Sequence, residues 1–71
     1  MFGIGDYVIH EKTGHIGKVI GYGHQMVDDV YMPTLKVLVA EASNSRKRGF
    51  VAEDLHSTWT HWQGVNDPTL R

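Results

Sequence analysis

The sequence predicts an all-β fold: a small, partly open barrel of about five short antiparallel strands, with one 3-10 turn before the last. Three observations predict it. Six of the eight glycines (Gly3, Gly5, Gly14, Gly17, Gly21 and Gly23) fall in the first third of the chain, and the apolar residues between them are β-branched or aromatic. Such a mixture favours pleated strands joined by tight turns. Thr34–Ala40 alternates, with Leu35, Val37 and Val39 on one face and Lys36, Leu38 and Ala40 on the other. No window sustains an apolar period of 3.6 residues long enough for a helix. Closing a sheet of this size into a barrel hides the strand edges that a flat one exposes.

The elements follow in order. Tyr7–His10 is the first strand, and 11–14 (Glu-Lys-Thr-Gly) is a turn. Ile16–Tyr22 is the second strand, with Gly17, Gly21 and Gly23 at bend or bulge positions. From Gly23 to Pro33 the chain is polar enough for a long hairpin loop that pairs again over Val30-Tyr31-Met32, with Asp28-Asp29 as a turn. Thr34–Ala40 is the third strand. Ser43 to Arg48 is a polar turn ending in the cationic tripeptide Arg46-Lys47-Arg48. Gly49-Phe50-Val51 is a short fourth strand, 52–55 (Ala-Glu-Asp-Leu) a single helical turn, and His56–Trp59 the closing strand. The barrel domain is therefore expected over 1–62, followed by a loose tail over 63–71.

Composition excludes several classes. With 71 residues there is one domain, and a formal net charge of −1 excludes a generally cationic nucleic-acid coat. The chain has no cysteine, hence no disulfide, thiolate metal site or thiol nucleophile. No apolar run reaches the roughly 18 residues of a membrane span. The opening Met-Phe-Gly-Ile-Gly-Asp lacks the basic start and apolar core of a signal peptide, so a soluble cytoplasmic protein is expected.

The run 5–10 (Gly-Asp-Tyr-Val-Ile-His), followed by Thr13-Gly14-His15-Ile16-Gly17-Lys18-Val19-Ile20-Gly21, resembles the opening of KOW-type and Tudor-type SH3-like barrels. In those families a Gly-Asp-x-Val strand leads to a Gly-x-x-Gly-x-Val strand. The run is also similar to the RNA-polymerase-interacting domain of CarD-type transcription regulators and of the transcription-repair coupling factor. There the likeness continues to a segment resembling Phe50-Val51-Ala52-Glu53-Asp54-Leu55 and covers about residues 3–57. The loop over 23–32 and the residues Trp59, His61 and Trp62 depart from that pattern. The resemblance implies an SH3-like barrel and a binding partner in the transcription machinery. Small accessory subunits of photosynthetic electron-transfer complexes use the same barrel, and no motif ties this chain to them.

Catalytic and metal chemistry find little footing. The serines are Ser43, Ser45 and Ser57, and none lies in a Gly-x-Ser-x-Gly elbow. Glu53 and Asp54 are neighbours, and on an extended chain they point to opposite faces. No helix follows the glycine pairs, so they build turns, not a phosphate cradle. The five histidines lack metal-ligand spacing. A barrel this small leaves little room for the roughly 300 Å³ pocket of a small-molecule site. No catalytic residue, metal or cofactor is expected.

What remains is a binding module. The candidate surface combines Arg46, Lys47 and Arg48 with Phe50, Trp59 and Trp62, since exposed tryptophan marks binding hot spots. Phe50 and Trp59 meet if the fourth and fifth strands pair. A protein–protein adaptor is the leading expectation. The alternatives are KOW-like nucleic-acid binding through the same loop plus Lys18 and Lys36, and a structural subunit of a larger complex.

Overall fold

Five antiparallel strands form one sheet in the computed structural model, which describes residues 2–40 and 49–63. They are β1 (Tyr7–His10), β2 (Ile16–Val27), β3 (Val30–Val39), β4 (Phe50–Leu55) and β5 (Trp59–His61), with a 3-10 turn over His56–Thr58. The spatial order is β4-β3-β2-β1-β5. The expected all-β architecture, with a 3-10 turn before the last strand, is therefore present. The proposed tail lies outside the described residues from 64 onward.

The alternation read in the third strand sets the core. Leu35, Val37 and Val39 turn inward with Val8, Val19 and Trp59, and Phe2 and Ala52 pack against them. Each such burial contributes about 1.5–3 kcal/mol, which is how so short a chain sustains a core. Gly17 lies opposite Val39, where a Cβ would stand 2.3 Å from the Leu38 carbonyl oxygen. Glycine is required there by the close approach of β2 and β3, not by a turn. Between Val19 and Gly21 the β2–β3 register shifts, leaving Ile20 as an extra residue. The bulge keeps the inward and outward sets of β2 matched to those of β3.

Three boundaries differ from expectation. The expected loop over 23–33 is instead a continuation of β2 and β3, closed by Asp28 and Asp29 alone, at φ 51° and 67°. Positive φ at both central residues is the mark of a type I′ turn, whose twist suits a hairpin. Pro33 is tolerated inside β3 because β4 pairs only with Thr34–Val39 and needs no N–H from it. The expected helical turn over 52–55 is strand, drawn into register with β3 by pairs such as Val37 with Ala52 and Lys36 with Glu53. Single-turn 3-10 geometry falls on His56–Thr58, where a closing strand was expected. That strand begins at Trp59.

β4 and β5 sit at opposite edges, so side chains, not a backbone ladder, draw the two edges of the sheet together. His10 on β1 bonds Asp54 at the end of β4 through Nε2 to Oδ2 at 2.8 Å. The indole N–H of Trp59 donates to the Asp54 carbonyl oxygen at 3.4 Å, and the His10 and Trp59 rings meet edge to face at 4.8 Å.

Candidate functional site

Strand register assembles the candidate site on the outer face. Tyr7 lies opposite Lys18, Lys18 opposite Leu38, and Leu38 opposite Val51. Trp62 follows β5 and joins the row beside Tyr7, its backbone N–H donating to the Tyr7 carbonyl oxygen at 2.9 Å. The row Trp62–Tyr7–Lys18–Leu38–Val51 thus crosses the whole sheet, because outward positions on antiparallel strands align.

Beside this row lies a groove of about 490 Å³, lined by Tyr7, Ile16, Gly17, Lys18, Leu38, Ala40, Gly49 and Trp62. Small residues make the hollow: Ala40 follows Val39 and Gly49 precedes its partner Phe50, and neither raises a wall beside Leu38. A barrel this small can carry a groove of that size because it lies on the outer face, not in the interior. Among the described residues Lys18 is its one charged lining residue, with Nζ 5.7 Å from the centroid of the Tyr7 ring. Cation–π attraction of this kind holds an ammonium over an aromatic face.

The structure separates the residues read as one surface. Trp62 and Lys18 line the groove. Trp59 does not belong to any surface: it is 2% exposed and part of the core. Its inward direction follows from its place opposite His10 on β1. Phe50 stays partly exposed at the start of β4 and meets His15, ring centroids 5.2 Å apart, not Trp59. The two do not meet, because Trp59 reaches β4 near its end, at Asp54, while Phe50 stands at its start. Lys36 is on the outer face opposite Glu53, outside the groove lining. Arg46, Lys47 and Arg48 lie outside the described residues. Tyr7, Leu38, Ala40 and Gly49 were missed as site residues; the outward alternation of Leu38 and Ala40 was the available signal.

The His10–Asp54 pair has the composition of a catalytic dyad but not its freedom. Nδ1 of His10 accepts the backbone N–H groups of Lys12 at 3.1 Å and Thr13 at 3.2 Å, and Nε2 faces Asp54. No ring nitrogen is left to move a substrate proton. The hydrogen bond from His10 is the main cause that lowers the Asp54 pKa, aided by the Leu55 N–H and opposed by desolvation. A second pair, His61 with Asp6 at 3.3 Å, fastens the N-terminal segment to β5. There the Gly3 N–H is the larger cause of the lowered Asp6 pKa, followed by His61. Phe2 inserts beside both His56 and His61, with ring centroids 4.8 and 4.4 Å away. Among the described residues, no group of three or more metal-ligating side chains converges.

Comparison with known proteins finds no matching family model, no matching curated protein and no matching solved structure.

Proposed function

We propose that this chain is a non-catalytic protein-binding module that acts through the outer face of its sheet. One observation carries the reading: the groove where Trp62, Tyr7 and Leu38 stand beside Lys18. Aromatic anchors around an apolar hollow, with a single cation to orient the partner, suit a protein contact. A phosphate backbone calls for several cations, and among the described residues the groove lining has one. The resemblance to SH3-like, RNA-polymerase-interacting barrels makes a transcription protein the first heterologous partner to test.

The test is affinity capture by tagged protein, with and without nuclease, comparing wild type with Leu38→Asp. Leu38 is 44% exposed, so the substitution leaves the core intact. The expected result is a nuclease-resistant protein partner that Leu38→Asp loses while its melting temperature stays within a few degrees. Capture that nuclease abolishes, or that Leu38→Asp retains, overturns the reading.

A further inference from the structure

Beyond the main sheet, β2 and β3 continue as a two-stranded ribbon. β1 pairs with β2 only over Ile16–Lys18, and β4 reaches only to Thr34 on β3. The rungs from His24 with Pro33 to Val27 with Val30 are therefore paired only with each other. Met26, Val30, Tyr31 and Met32 are all exposed there, Tyr31 at 68%. An isolated two-stranded hairpin is marginal in water, and one carrying this much bare apolar surface gains from cover.

Charge indicates what covers it. The tip is Val27-Asp28-Asp29-Val30, and no Lys, Arg or His occurs between Gln25 and Thr34. Among the described residues the groove lining has the opposite character: apolar, with Lys18 and no acid. Within one chain the two never meet. Lys18 and Asp28 lie ten residues apart on the same hairpin, a span of about 33 Å for extended chain. They share a face, however. The pairs Lys18 with Leu38, Gly21 with Lys36, Gly23 with Thr34, Gln25 with Met32 and Val27 with Val30 all fall on the Leu38 side of β3, where Thr34 alone of the β3 residues is buried, its hydroxyl donating to Glu53.

Resting on the protein-binding reading above, we propose that the partner is a second copy of this chain. Two hairpins laid antiparallel, outer face to outer face, place the acidic tip of each at the Lys18 groove of the other. Both contacts form at once, so the assembly closes as a two-fold dimer. Val30 and Met32 of one copy then cover the Leu38 and Trp62 end of the other.

Sedimentation equilibrium over a wide concentration range, on the full chain, tests this. Wild type is expected to be dimeric at high concentration. Lys18→Glu is expected to weaken the dimer about tenfold or more, because it sets like charges against each other. Asp28→Lys/Asp29→Lys is expected to do the same. An equimolar mixture of these two variants restores the dimer, since each groove then meets a tip of opposite charge. Should the lysine pair prevent folding, Asp28→Asn/Asp29→Gly removes both charges while keeping the turn, and it too must weaken the dimer. A wild type that stays monomeric, a dimer indifferent to Lys18→Glu, or mass that rises past two copies overturns the proposal. A monomer that still captures a Leu38-dependent partner refutes the dimer and leaves the binding module standing.

Discussion

At the scale of single residues, His10 shows how a polar group can sit in so small a core. It is 6% exposed, yet every ring nitrogen has a partner. A backbone N–H can only donate, so Nδ1 must be the acceptor and Nε2 must carry the proton toward Asp54. Long-range ¹H–¹⁵N correlation is expected to show His10 as the Nε2–H tautomer at neutral pH; an Nδ1–H signal would contradict the network. Asp54→Ala leaves that Nε2–H buried without its acceptor, and chemical denaturation is expected to show a loss of about 1–3 kcal/mol. Gly17 is demanding in a different way. Its absent Cβ would stand 2.3 Å from the Leu38 oxygen and 2.7 Å from Val37 Cγ1. Gly17→Ala must therefore part β2 from β3 at the core, and a cost of about 1–3 kcal/mol is expected from denaturant unfolding. A Gly17→Ala protein as stable as wild type would show that the strands do not approach so closely.

Among the elements, the long hairpin separates what local pattern can show from what pairing decides. Leu35, Val37 and Val39 were readable because a period of two is a property of the strand itself. The ribbon beyond Gly23 was not, because glycine, aspartate and proline in one stretch look like loop until both partners are aligned. Residues 52–55, Ala-Glu-Asp-Leu, have helical composition, and pairing along β3 overrides it. The Asp28-Asp29 turn makes a prediction at this scale. Positive φ costs an aspartate more than asparagine or glycine, which are the favoured pair for a type I′ turn. Asp28→Asn/Asp29→Gly is expected to raise the denaturation free energy by up to about 1 kcal/mol, measured at concentrations low enough to keep the chain monomeric. A loss of stability would mean that the aspartates do more at the tip than tolerate its geometry.

For the molecule as a whole, the candidate site was legible in its parts and not in its assembly. Lys18 and Trp62 stood out as residue types, but their meeting with Tyr7 and Leu38 depends on the register of four strands and on one bulge at Ile20. Trp59, so similar in local sequence, is turned inward by its place opposite His10. The same global closure sets the response to acid. Two aspartates fasten distant parts of the chain: Asp54 joins the end of β4 to β1, and Asp6 joins the N-terminal segment to β5. Both have a folded pKa below the ordinary aspartate value of 3.8. The folded state therefore holds their protons less tightly than the unfolded state does. Their contribution is fully present above that ordinary value and is lost as pH falls through the lower folded values. Both side chains are substantially exposed, so solvent screening keeps each contribution modest. The denaturant midpoint is expected to decline as pH is lowered from about 4 toward 2. The double variant Asp6→Asn/Asp54→Asn should start from a lower midpoint at pH 5 and decline less steeply over the same range. Equal slopes in the two proteins would place the acid sensitivity elsewhere and deny these two pairs their role in fastening β4 to β1 and the N-terminal segment to β5.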